Sequence, residues 1–262
     1  MLTALFTASL VLAQDPGSPF RVDAAVDIPI TVGAMVLMGT PRVFTGEIAP
    51  PWCGLECDPM DINPLDRWAV RHPSSTARSV SDVLFLSSLG IPFAADALDV
   101  ATSNPVDGWQ GYGRDVAVMG QVLSITLAVN NMMSFVVRRP RPLVYNRTLS
   151  DEVRQKTDAN WSFYSGHTAA SVALFTAYTS LYAHRHPDSA WVTPMRITMY
   201  SAALTTGALR VLAGDHFPTD VAVGVVAGLV FGTVIPAVHR VDRQRPSVER
   251  LPPTMRLLSG TF

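Results

Sequence analysis

Three short stretches of the sequence gather side chains suited to holding and cleaving an anion. In "VVRRPRPLVYNR", Arg138, Arg139 and Arg141 crowd the end of a long apolar run, where Pro140 and Pro142 stop a helix. Guanidiniums packed this closely repel one another unless an anion collects them, and arginine presents a planar fork that matches phosphate. In "FYSGHTAASVALF", Ser165, Gly166 and His167 open an apolar helix. Backbone N–H groups at a helix start are unpaired and attract an anion. Ser165 adds a hydroxyl donor, Gly166 lets the anion approach the backbone, and His167 exchanges a proton near neutral pH. In "LRVLAGDHFPTDVAVG", Arg210, His216 and Asp220 are spaced Arg-x5-His-x3-Asp. An arginine near the end of an apolar helix is costly without a partner. His216 and Asp220 share a face of a helical turn. The Asp220 carboxylate is therefore expected to hold one imidazole nitrogen and leave the other as a nucleophile. Asp215 reads as loop.

Each stretch also has a plainer reading. The arginines can be a basic flank at a membrane edge. Ser165 can be a helix cap beside an incidental histidine, and Asp220 a capping carboxylate beside a surface one.

The elements that must position these groups are apolar. Segments rich in Ala, Val, Leu and Met run over Ile28–Met38, Val83–Ala95, Val116–Val137, Thr168–Ala183, Ile197–Leu209 and Val221–Val238. Turn-rich connectors separate them. The expected fold is all-α, a single bundle of about six helices with a long loop after the first. Residues 1–14 form an apolar start, 15–110 the first helices and the cysteine loop, 111–240 the core that carries the three stretches, and 241–262 an Arg/Pro-rich tail. Val116–Val137 and Val221–Val238 approach the length of a membrane span, about 20 apolar residues. The other segments are short or interrupted, by Asp27, Pro29, Pro92 and Asp96. A membrane-embedded bundle is expected, with a soluble or peripheral exported bundle as the alternative.

Charged residues are only 16% of the chain and the mean hydropathy is +0.24. The net charge of -1 argues against a nucleic-acid surface. Lys156 is the one lysine. The start, "MLTALFTASLVLAQDPGSP", reads either as a short export signal lacking its basic region or as an apolar helix that stays attached. With six spans and an inside N-terminus, the Arg-rich tail falls inside and the loops after the third and fifth helices face outward. A cleaved signal inverts that topology. Cys53 and Cys57 can pair, flank a metal site or stay as two thiols.

Taken together and in order, the three stretches resemble the signature of the type 2 phosphatidic acid phosphatase (PAP2) superfamily. That superfamily also includes bacterial acid phosphatases and vanadium haloperoxidases. Its signature reads Lys-x6-Arg-Pro, Pro-Ser-Gly-His and Ser-Arg-x5-His-x3-Asp. The matching stretches are "SFVVRRPRP" (Ser134 to Pro142), "YSGH" (Tyr164 to His167) and "LRVLAGDHFPTD" (Leu209 to Asp220). Ser134 stands at the lysine position, Tyr164 at the proline and Leu209 at the serine. Arg138 lies one turn after Ser134, so Arg138 or Arg139 is expected to supply the missing charge.

The resemblance implies a phosphatase. His216 would attack phosphorus and Asp220 would orient it. Arg141, Arg210, Ser165 and Gly166 would hold the phosphate oxygens, and His167 would protonate the leaving alcohol and then activate water. The implied chemistry uses no cofactor or metal and is sensitive to vanadate. A lipid phosphate, either phosphatidic acid or a polyprenyl diphosphate, is the expected substrate, with the site facing the periplasm of a bacterial-type cell. The alternatives are an exported nonspecific acid phosphatase, a vanadium-dependent haloperoxidase and an inactive anion-binding member.

Overall fold

The computed structural model describes residues 18–44, 53–70, 73–156 and 158–241. The apolar start over 1–14 and nearly all of the tail over 241–262 lie outside them. Among the described residues there are eight α-helices and no strand. Six are long: α1 (Ala24–Phe44), α3 (Ser75–Ser103), α4 (Gly108–Val137), α6 (Gly166–Arg185), α7 (Val192–Leu212) and α8 (Pro218–His239). Two are single turns, α2 (Pro64–Arg67) and α5 (Asp151–Arg154). Among the described residues, the six long helices form the expected all-α bundle.

The interruptions read from the sequence do not interrupt α3. Ser74 caps its start by accepting from the Ala77 amide at 3.1 Å, and the helix runs through Pro92 and Asp96 to a left-handed cap at Asn104. Asp96 is tolerated because Arg185 Nη1 of α6 meets its carboxylate at 3.1 Å inside the bundle. The result is a third apolar span. Three helical stretches, within Ser75–Ser103, Gly108–Tyr145 and Pro218–His239, are long and apolar enough to cross a membrane. Their outward side chains, such as Val83, Leu86, Ile91, Val226 and Val230, are exposed and apolar. That surface suits hydrocarbon rather than water.

Helix α6 is the axis of the bundle. Thr168 through Thr179 are all buried, against α4, α7, α8 and α3. Small residues make this possible, because Ala169, Ala170, Ser171, Ala173 and Ala177 let neighbouring backbones come close. The threonine hydroxyls are satisfied locally: Thr176 donates to Val172 O at 2.7 Å and Thr179 to Phe175 O at 2.8 Å. Helix α8 answers with Gly224, Gly228 and Gly232, four residues apart on one face. A methyl group on Gly228 would sit 2.6 Å from Ala169 O. The glycines thus let α8 lie directly on α6, which brings the start of α8 to the start of α6.

The bundle is locked at the far end of α6 by charge. Arg185 Nη2 meets Asp115 at 2.6 Å, as well as holding Asp96, and Asp107 takes a hydrogen bond from Ser18 at 3.1 Å. Beside the other end lies the loop after α1, where Cys53 and Cys57 form a disulfide. Buried Cys57 packs with Leu143, Val144 and Ala159. Arg154 ties the loop down, donating to Val144 O and Leu55 O, each at 2.8 Å.

Candidate active site

Four helix ends converge at the cysteine-loop end: the start of α6, the end of α7, the start of α8 and the segment after α4. Between them and the ends of α1 and α3 lies a cleft of about 580 Å³. Arg141, Gly166, His167, Arg210 and His216 all line it. The sequence separates these residues by up to 75 positions; the helix packing described above makes them neighbours.

His216 sits in the turn between α7 and α8. Its Nδ1 is 2.7 Å from the carbonyl oxygen of Ser162. A carbonyl only accepts, so Nδ1 carries the proton and Nε2 is left with its lone pair. Burial, with the charges of Arg141 and Arg210 close by, holds the His216 pKa well below the ordinary histidine value. The ring is therefore neutral at neutral pH, as a nucleophile must be.

Asp220 does not perform the role expected of it. Its carboxylate is not on His216. It accepts from Ser162 Oγ at 2.5 Å, from the Phe217 amide at 2.9 Å and from Arg139 at 2.6 Å. The spacing did put Asp220 near the histidine, but Pro218 starts α8 after His216, so the two residues are not on one helix. Asp220 instead caps α8 and braces Ser162, whose carbonyl holds the imidazole. Its influence on His216 runs through that residue.

Of the three consecutive-motif arginines, only Arg141 reaches the cleft. Arg138 ends α4 in the left-handed region, with φ at 49°; its Nε donates to Phe135 O at 2.9 Å and its guanidinium lies over the Phe135 ring. Arg139 is taken up by Asp220 and by Asp66 of α2, 2.7 Å away, and stacks on Phe217 at 4.1 Å. Asp66 in turn holds the Thr219 amide at 3.0 Å. The expectation that either arginine replaces the absent lysine is therefore corrected. Both are spent on structure, and Ser134, which lines the cleft, donates to Phe163 O at 2.7 Å.

Gly166 borders the cleft, and a side chain there would strike Asn130 Oδ1, 2.5 Å from the place of its Cβ. Asn130 Nδ2 in turn donates to Tyr164 O at 2.6 Å, fixing the loop that leads into α6. Ser165 is fully buried beneath this turn; its hydroxyl accepts from Thr168 at 2.9 Å and its amide donates to Asp220 O at 3.1 Å. It does not line the cleft, so the expected hydroxyl donor to phosphate becomes part of the joint between α6 and α8.

Several residues here escaped the sequence reading. Asp215 is no ordinary loop residue: it is fully buried, with Arg78 at 2.6 Å and Arg141 at 3.2 Å on one oxygen and Arg210 at 2.8 Å on the other. Arg78 and Asp82 come from α3. Asp82 Oδ1 accepts from Arg210 Nη1 at 2.8 Å and lies 3.2 Å from His167 Nε2, while the Phe85 ring packs on the His167 ring at 4.2 Å. Their signal was present: charges four residues apart at the head of an apolar helix, hence on one face. Tyr164, which stands at the proline position, lines the cleft with its hydroxyl unpartnered. Burial pushes its pKa up to about 12, so it keeps a proton to donate.

An arginine cradle at a helix start, with two histidines on one wall, is the arrangement of a phosphate-handling site. The comparison with known families gives the same class. Residues 116–244, just under half of the chain, match the PAP2 superfamily. A solved structure that aligns with the chain is the crystal structure of the first transmembrane PAP2 type phosphatidylglycerolphosphate phosphatase from Bacillus subtilis, 15% identical, covering 81% of this chain and 94% of that one, with a TM-score of 0.45. No curated protein matches the sequence.

Proposed function

We propose that the chain is a membrane lipid-phosphate phosphatase that works through a phosphohistidine on His216. The observation that carries this reading is the Ser162 carbonyl on His216 Nδ1, which leaves Nε2 as the free nitrogen in a cleft shared with Arg141, Arg210, His167 and the start of α6. Nε2 attacks phosphorus as the bond to the leaving oxygen breaks. His167 gives that oxygen a proton and, left as the neutral ring, takes a proton from the water that attacks next. Water then attacks the phosphohistidine, releasing phosphate and restoring neutral His216. Arg141, Arg210 and the N–H groups at Gly166 stabilise the charge on the equatorial oxygens.

The outer cleft supports a lipid substrate. Met38 of α1, Phe85 of α3 and Leu127 of α4 line it, and the helices around it present apolar faces outward. A chain-bearing alcohol fits there better than a free sugar or nucleotide.

The test is phosphate release in detergent, with EDTA present, from phosphatidic acid, a polyprenyl diphosphate and p-nitrophenyl phosphate. Release that survives EDTA, prefers a lipid and falls about 10⁴-fold in His216→Ala is expected. Release by His216→Ala at the wild-type rate, or release abolished by EDTA, would overturn the mechanism.

A further inference from the structure

We propose that Asp82 makes this site selective for phosphate monoesters over diphosphates. The inference rests on the phosphatase reading and narrows its substrate. Asp82 lies outside the matched stretch of 116–244, on the wall that α3 contributes.

The first observation is where the carboxylate stands. Asp82 Oδ1 touches both a cradle arginine, Arg210, and the histidine assigned to the leaving group, His167. Its side chain is 48% exposed and stands beside the cleft lining, reaching the site through its contacts with those two lining residues. Phe85, three residues on, packs against the His167 ring and holds it beside this carboxylate. The leaving-group side of the cleft is therefore marked by a negative charge.

The second observation is the charge balance. Arg78, Arg141 and Arg210 face three carboxylates: Asp215 between all three, Asp82 on Arg210 and Asp158 on Arg141 at 2.9 Å. Asp158 also lines the cleft and is 58% exposed. The lysine position holds Ser134, and Arg139 is committed to Asp66 and Asp220. Among the described residues, no other lysine or arginine lines the cleft.

A monoester brings one phosphate, met by the two arginines and the start of α6, and its leaving group is an uncharged alcohol. A diphosphate brings a second phosphate as the leaving group, and that charge must sit beside His167. There it meets Asp82 and finds no unpaired cation. Like charge placed against the wrong substrate is a common means of discrimination.

The experiment compares kcat/KM for phosphatidic acid and for a polyprenyl diphosphate of matched chain length, in wild type and Asp82→Asn. Asparagine keeps an oxygen for His167 and Arg210 but removes the charge. Wild type is expected to favour the monoester, and the variant to narrow the ratio by about tenfold, the worth of a unit charge at a few ångströms once half-exposed screening is allowed for. A wild type that favours the diphosphate would overturn the proposal. So would a variant that loses both activities in parallel, because Asp82 would then only position His167. A second arm needs no variant and no turnover: calorimetric binding of inorganic phosphate and of pyrophosphate to wild type. Phosphate binding more tightly is expected, and tighter pyrophosphate binding would overturn the proposal. Absence of all hydrolysis with that binding order intact would sink the phosphatase reading and leave the selectivity standing.

Discussion

The two ends of α6 carry the same chemistry to different purposes. At its start, Arg78, Arg141 and Arg210 surround buried Asp215, and Arg141 and Arg210 line a cleft. At its finish, about 30 Å away along a 20-residue helix, Arg185 is surrounded by Asp96, Asp107 and Asp115. Both clusters bury arginine and aspartate where desolvation is costly. The difference lies in the excess. The first has more arginines than buried carboxylates and opens to a cavity, so it collects an anion. The second has more carboxylates and joins α3, α4 and α6. Buried ion pairs alone therefore do not mark a site. The sign of the surplus charge and an adjoining cavity do.

Breaking each end should separate activity from stability. Arg210→Ala removes a cradle donor and is expected to lower kcat/KM by about 10³-fold, measured by phosphate release. Arg185→Ala leaves Asp96 and Asp115 buried without their shared cation. It should cost about 3–5 kcal/mol of stability in a detergent unfolding titration. The folded fraction should keep its kcat/KM to within about twofold, since the sites are far apart. A loss of turnover as deep as that of Arg210→Ala would collapse the distinction between the ends.

The joint between the ends can be strained as well. Gly228→Val forces a side chain against Ala169 O and Val172, and about 1–3 kcal/mol of destabilisation is expected from the same titration. Because His216 sits in the turn that leads into α8, turnover should fall along with stability.

The pH profile sharpens the contrast. The His216 pKa is depressed, so the folded protein keeps this ring neutral below the ordinary value of about 6.5, while the unfolded chain takes up a proton there. This group therefore lowers stability as the pH falls below about 6.5 and contributes no change above it. The acid limb that His216 sets in kcat/KM should lie below about 6.5 as well, read from initial rates across pH. A limb above that value that vanished in His216→Ala would contradict the burial argument. The smallest effect belongs to Arg138→Ala, with turnover changed less than about twofold, because its guanidinium stays on Phe135.

Much was legible in the sequence by itself. Apolar periodicity announced six helices, since burying a helix face demands it, and the three motif stretches placed His216, His167, Arg141, Arg210 and Gly166 as candidates for one anion site. Residue type was enough there, because few side chains can do that chemistry. Tertiary structure alone decided which charges were free. Arg138, Arg139 and Arg141 are nearly indistinguishable in sequence, yet one caps a helix, one braces Asp66 and Asp220, and one lines the cleft. The start of α8 at Pro218 moved Asp220 off His216 and gave that task to the Ser162 carbonyl, a backbone atom that no side-chain pattern reveals. Arg78 and Asp82 entered the site from a helix more than 80 residues away from His167. The physical reason is that a charge acts over a few ångströms in space, and only the packing of α3, α6, α7 and α8 sets those distances.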